Sequence, residues 1–270
     1  MKITINDQEL YIDENHKHNL DKAKQVLKED WDMIFCYDGY EGSGKSTKAI
    51  QDAFYCDPTL TLERITFTPD DFKKQIIKAQ QYQAVVYDEA YTGLSSRSAM
   101  SRVNKTLVQM LAEIRQKNLF VFVVMPTFFD LDKYVALWRT RALVHVYSPG
   151  NFERGYFAFY NIDKKKDLYI NGKKYYSYSK PKPNFIGRFT KYFPLDKTEY
   201  RRKKKQSLTD REEQNIEDDR LEELKELMFN RLQELDEPLT HRIKIKILRI
   251  PESTYYTKLK KYEEYKEFSS

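Results

Sequence analysis

Met33-Ile34-Phe35-Cys36-Tyr37-Asp38-Gly39-Tyr40-Glu41-Gly42-Ser43-Gly44-Lys45-Ser46-Thr47 is the stretch on which the reading of this chain turns. Its first five residues are an apolar run bounded by Asp38-Gly39, the pattern of a strand buried on both faces. Residues 39–46 then fit G-x-x-x-x-G-K-[ST] in full, and a helix is predicted from about Lys45 to Tyr55. Strand, glycine turn and helix in that order is the context that makes the pattern a phosphate-binding loop. Glycine lets the backbone turn tightly, so that consecutive N–H groups converge on phosphate oxygens. The helix N-terminus adds the positive end of its dipole. Lys45 supplies a mobile charge for the β- and γ-phosphates, Ser46 a hydroxyl ligand for Mg²⁺, and Thr47 a contact to the α-phosphate. The nucleotide-binding set is therefore Gly39, Gly42, Ser43, Gly44, Lys45, Ser46 and Thr47. Three of the chain's eight glycines lie in this one turn, which weighs against chance.

The second informative stretch is Ala84-Val85-Val86-Tyr87-Asp88-Glu89, an apolar run ending in two carboxylates, 43 residues after Lys45. Asp88 at such a strand end supplies the carboxylate that holds Mg²⁺ through water, beside the Ser46 hydroxyl. Glu89 can orient and polarise an attacking water. The pair points to hydrolysis of ATP by a motor or remodelling protein rather than to a nucleotide kinase or GTPase. ATPases of this kind place an additional strand between the two motifs. The expectation drawn is that 84–87 lies beside 33–37, followed by Leu119–Met125 with a polar γ-phosphate sensor at its end. Thr127 is the candidate sensor, and a plain strand-ending Met-Pro-Thr turn accounts for it equally well. Oligomeric ATPases also place an arginine of one subunit on the neighbour's γ-phosphate. Arg115 is the candidate finger, with Arg139 and Arg141 also near strand ends; a surface or DNA-facing role competes for each.

Around these motifs the hydrophobic pattern alternates between strand and helix. Met1–Asp13 reads as a hairpin about Asn6-Asp7, and Asn19–Glu29 as a short helix. Ile65–Thr68 is a strand, and Pro69 opens a helix to about Gln81. The spacing of Met100, Val103, Leu107, Met110, Leu111 and Ile114 predicts a long amphipathic helix. A short helix over Leu131–Trp138 leads to a strand at Ala142–Tyr147. This order predicts an α/β fold with a mostly parallel sheet flanked by helices. Beyond Gly150, Gly155–Ile162 and Asp167–Tyr178 read as antiparallel strands, the second turning at Asn171-Gly172. Leu221, Leu224, Met228, Leu232 and Leu235 mark a helical C-terminal region. The expected domains are an ATPase domain over 1–162, a basic β-hairpin and linker over 163–205, and a helical region over 206–270.

The net charge of +6 is distributed unevenly: −1 over 1–162, +11 over 163–205, −8 over 206–237 and +4 over 238–270. In the basic segment, lysines and arginines alternate with tyrosines, as in Lys173-Lys174-Tyr175-Tyr176. Cations of this kind neutralise phosphates, and aromatics stack on bases. Arg201, Arg202, Lys203, Lys204 and Lys205 are therefore candidate DNA contacts; a solubilising linker is the competing reading. Residues 239–259 have the rhythm of a helix-turn-helix, with Ile243, Ile247 and Leu248 on the inner face of the first helix, Ile250-Pro251 in the turn and Ser253 capping the second helix. Thr254, Tyr255, Thr257 and Lys258 would then face DNA; a helical hairpin for subunit contact is the alternative. The longest apolar run, Leu119–Pro126, is far shorter than the ~18–20 residues of a membrane span. Cys36 and Cys56 form no disulfide framework, and the expected location is cytoplasmic, the host's if the protein is viral.

Taken together, the loop, Tyr87-Asp88-Glu89-Ala90, Ser95-Ser96-Arg97-Ser98, the helix ending Ile114-Arg115-Gln116-Lys117-Asn118 and Phe129-Asp130-Leu131-Asp132-Lys133 resemble the zonular-occludens-toxin-like ATPases of phages and mobile elements. These belong to the FtsK–HerA-like and terminase-like class of P-loop NTPases (ASCE type). The resemblance covers about residues 30–150. It implies a ring of identical subunits, hexameric or pentameric, that uses ATP and Mg²⁺ to act on DNA in virus assembly, genome packaging or DNA transfer. The membrane segment usual in filamentous-phage members and the acidic nuclease cluster of large terminases are not seen. A replication helicase or helicase loader uses the same nucleotide parts. A nucleotide-gated DNA-binding regulatory protein is the reading from a different class.

Overall fold

The computed structural model describes residues 1–88, 97–150, 153–234 and 239–269. The chain divides into two compact units, Met1–Ser207 and Leu208–Ser270.

The first unit is built on a seven-stranded sheet: β3 (Met33–Asp38), β4 (Ile65–Thr66), β5 (Ala84–Asp88), β6 (Phe120–Val124), β7 (Thr140–Tyr147), β8 (Tyr156–Tyr160) and β9 (Phe185–Arg188). The order across it is β4-β5-β6-β3-β7-β8-β9. The first five of these neighbours run parallel, and β8 and β9 add antiparallel to one edge. The central strands are apolar throughout because helices cover both faces and successive side chains alternate between them. Phe35, Tyr37, Val86 and Phe122 pack with α1 (Glu14–Leu27) and α2 (Lys45–Cys56). Ile34, Cys36, Val85, Tyr87, Val121 and Val123 pack with α3 (Pro69–Lys78), α4 (Arg97–Gln116) and α5 (Ile162–Gly172). The N-terminal hairpin is present as β1 (Lys2–Ile5) and β2 (Gln8–Tyr11), with Asn6 and Asp7 both at positive φ.

Two expectations about the first unit are corrected. The strand ending in Asp88 is not beside the Gly39 strand, because β6 lies between them: Phe35 and Val86 both pair with Phe122. The hairpin predicted at Asn171-Gly172 is a helix terminus. Asn161 caps α5 by accepting from the Lys164 N–H at 3.1 Å, and Leu168 and Tyr169 turn into the core. Gly172 serves for close approach, since a Cβ there would meet the Ser177 carbonyl oxygen at 2.4 Å and the Phe129 ring at 2.8 Å. The buried Lys165 ammonium donates to the carbonyls of Ala136 (2.5 Å) and Leu137 (3.0 Å) in a π-helical turn, and burial brings its pKa down to about 7. β9 draws the later part of the basic segment into the same sheet.

α6 (Lys197–Gln233) begins in the first unit and runs into the second. There, α7 (His241–Leu248) and α8 (Glu252–Ser269) follow, joined by a turn with Arg249 in the left-handed region. Phe229, Leu248 and Tyr255 form the core of this unit, with Ile245, Ile250 and Leu259 against it. Tyr255 is fully buried, its ring edge-on to Phe229 at 5.6 Å, so it cannot face a ligand as the sequence suggested. Ile243 and Ile247, expected on the inner face of α7, are exposed, and α8 starts at Glu252, ahead of Ser253.

Candidate functional site

The C-terminal ends of β3, β5, β6 and β7 converge on the glycine turn. Gly39, Gly42 and Gly44 all take positive φ (134°, 75° and 104°), so only glycine fits without strain. Gly44 is the N-cap of α2 and offers no side-chain cap, which leaves the first-turn N–H groups of that helix to an anion. Lys45 folds back over the turn, donating to the carbonyls of Gly39 (2.5 Å) and Tyr40 (3.0 Å). Burial lowers its pKa, opposed by Asp38 and Asp88. The Ser43 hydroxyl is buried and finds no partner among the described residues. A cavity of about 120 Å³ opens beside the turn, lined by Gly44, Thr47, Arg154, Phe189, Lys191 and Lys197. Three cations and an aromatic ring there suit an anionic ligand with a planar group.

Ser46, in the first turn of α2, and Asp88 meet although β6 lies between β5 and the strand that leads into the turn: the hydroxyl donates to Asp88 Oδ1 at 3.0 Å. Asp88 Oδ2 accepts from the hydroxyl of Tyr200 and, at 3.1 Å, from Lys204 Nζ. Burial and the Asp88 charge push the Tyr200 phenol well up. A cation thus already rests against the Ser46–Asp88 oxygens, and that donor set fits Mg²⁺, which binds through one or two carboxylates plus substrate phosphates. Among the described residues no group of three or more His, Cys, Asp or Glu side chains could hold a metal. Glu89 lies outside the described residues.

Sequence reasoning missed a polar network beside the turn. Asp38, fully buried, accepts from the Phe128 N–H at 2.8 Å and from the Tyr178 hydroxyl, and its other oxygen lies 2.8 Å from His145 Nδ1. The His145 and Tyr178 rings stack at 3.9 Å. Thr127 belongs to this network: its hydroxyl accepts from the Phe129 N–H at 3.3 Å and lies 3.0 Å from the Tyr178 oxygen. The only signal in the sequence was an acidic residue ending an apolar strand.

The remaining candidates are dispersed. Arg115 is exposed in the last turn of α4, just before β6 and so at the end of the strands opposite the glycine turn. Arg139 and Arg141 both pair with Asp32, which ties the start of β3 to β7. Of the basic run, Lys203 donates to the carbonyls of Leu62 and Ile65 at 2.7 and 2.8 Å and Lys204 to Asp88, so neither is presented to DNA. Arg202 pairs with Glu199, and Arg201 is exposed. Thr254 and Lys258 are partly exposed on α8.

No protein-family model and no curated protein matches the chain. Among solved structures, it is similar to the N-terminal domain of zonular occludens toxin from Neisseria meningitidis, at 18% identity and a TM-score of 0.36, over 63% of this chain and 97% of that one. Among the described residues no helix is long and apolar enough to cross a membrane.

Proposed function

We propose that the chain binds ATP with Mg²⁺ at the Gly39–Thr47 turn and hydrolyses it, as the motor of a DNA-handling machine of a virus or mobile element. Genome packaging, DNA translocation and DNA transfer are the tasks it suits, performed as a ring of identical subunits. The observation that carries this reading is the 3.0 Å Ser46–Asp88 bond, formed across β6 at the end of a sheet whose glycine turn opens a helix. The interposed strand supports an additional-strand ATPase.

Ser46 and Asp88 would hold Mg²⁺, which neutralises charge on the β- and γ-phosphates. Lys45 exchanges the loop carbonyls for the phosphate oxygens and holds them in line. The turn's N–H groups and the α2 dipole bind the remaining charge. Thr47 takes the α-phosphate. Glu89, next in sequence to Asp88, orients the attacking water and accepts its proton. Thr127 reads the γ-phosphate through the Asp38 network, and Arg115 serves a neighbouring subunit. The exposed lysines and arginines of residues 163–205 and the helical C-terminal unit supply contacts to DNA phosphates.

Glu89→Gln is expected to bind ATP about as well as the parent chain and to lose at least ~100-fold in turnover. Hydrolysis at the parent rate would remove Glu89 from the mechanism. Deleting 208–270 is expected to weaken DNA binding and to flatten the slope of log affinity against log salt. An unchanged slope and affinity would take the C-terminal unit out of DNA binding. Turnover stimulated by intact duplex marks a motor; slow, unstimulated turnover marks a nucleotide-gated regulator, and strand unwinding a helicase.

A further inference from the structure

The first turns of α6 occupy the carboxylate that the ATP reading assigns to the metal. Asp88 is 1% exposed, and its oxygens are shared between partners far apart in sequence. The Lys204 ammonium lies 3.1 Å from Asp88 Oδ2, 3.5 Å from Ser46 Oγ and 3.3 Å from the Tyr200 oxygen. It therefore touches at once the two side chains that a divalent cation would have to gather. The approach is built in rather than made by a loose side chain. Tyr200 is buried between the rings of Phe67 (5.7 Å) and Phe193 (5.0 Å) and itself donates to Asp88. Lys203 fastens the same turn to the carbonyls of Leu62 and Ile65.

Building on the ATP-binding reading, we propose that Lys204 is an internal stand-in for the divalent cation, an autoinhibitory contact that must leave before Mg²⁺ and nucleotide are seated. A buried carboxylate without a counter-charge is costly, so an ammonium there stabilises the nucleotide-free state. The ammonium sits between Ser46 Oγ and Asp88 Oδ2, the oxygens a divalent cation would have to gather, so the ammonium and Mg²⁺ compete for one position. Lys204 keeps a route outward, its side chain being 29% exposed. The site is thereby closed to the metal alone and opened by the metal and triphosphate acting together.

The first test uses Mg²⁺ without nucleotide. Millimolar Mg²⁺ should leave the Tm of the parent chain unchanged. Lys204→Met should melt lower in chelator and recover on adding Mg²⁺, and Lys204→Met combined with Asp88→Asn should show no recovery. Lys204→Gln, which keeps a donor to Asp88, is read in the same way if the methionine variant does not fold. The second test titrates Mg²⁺ into the full chain with a fluorescent ATP analogue. The half-saturating Mg²⁺ concentration should fall about tenfold in Lys204→Met, a change of about 1.4 kcal/mol. The same Mg²⁺ response in parent and variant overturns the proposal, as does weaker binding of the Mg²⁺–analogue complex by the variant, which would make Lys204 a ligand of the nucleotide. Loss of analogue binding in Lys45→Ala upholds the ATP reading whatever Lys204 does. If the parent chain fails to bind the analogue, that reading falls, and the metal-only melting decides the competition by itself.

Discussion

Asp52→Ala is expected to lower the unfolding free energy by about 3–5 kcal/mol, because it strips the hydrogen-bonded carboxylate from the centre of a buried charged cluster. Asp52 lies on α2, on the helix that the glycine turn opens, and is 1% exposed. It accepts from Lys48 Nζ (2.6 Å), the Tyr37 hydroxyl (2.7 Å) and His16 Nε2 (2.8 Å), so one side chain joins α1, β3 and α2. Lys48 also lies 4.6 Å from the centre of the Phe157 ring, where water cannot replace the lost partner. A urea-unfolding shift worth less than about 1 kcal/mol would show that the ammonium escapes to solvent. Replacing all four side chains by apolar ones of similar volume should cost far less than the single change.

The same cluster sets the response to acid. Burial alone would raise Asp52, but His16 and Lys48 outweigh it and bring its pKa to about 2 from an ordinary 3.8. Its stabilisation is present above about 3.8 and is lost as the pH falls towards 2. Burial lowers His16 below its ordinary 6.5, against the pull of Asp52. The unfolded chain therefore takes up that proton first, and stability declines as the pH drops below about 6.5. The melting temperature should thus begin to fall well above the carboxylate range. A flat profile down to about pH 4.5 would exclude a buried neutral imidazole.

Gly39→Ala should be nearly as damaging and should abolish nucleotide binding. Gly39 has φ +134°, and a Cβ there would fall 1.8 Å from the carbonyl oxygen of Val146. That atom is backbone of β7, so the turn and that strand must part. Strain and overpacking together are expected to cost about 2–5 kcal/mol. The separation would also pull Asp38 from His145 and misplace the loop N–H groups. Gly150→Ala is the control, since an added Cβ meets nothing within 4 Å. Equal melting and equal binding of an ATP analogue by the two variants would show that the turn tolerates a side chain.

The glycine turn and the strands around it were legible because their signals are local. Gly39, Gly42 and Gly44 reach positive φ whatever surrounds them, and a five-residue apolar run can only be hidden on both faces. Asn171-Gly172 misled because a glycine needed for close approach looks the same in sequence as one needed for a turn. Tyr255 misled because the helical spacing of an aromatic does not say which face the core takes.

The sequence by itself determined the chemistry of the turn, the α/β alternation and the uneven charge, all of which depend on residue type and short-range spacing. Only the tertiary structure decided that β6 separates the loop strand from the Asp88 strand, since sheet order is a choice among long-range pairings. It alone also decided which lysine of Lys203-Lys204-Lys205 reaches Asp88. Adjacent lysines are chemically equivalent until a docked helix points one of them inward, and the docking of α6 rests on Tyr200, Phe67 and Phe193, residues that no local pattern brings together.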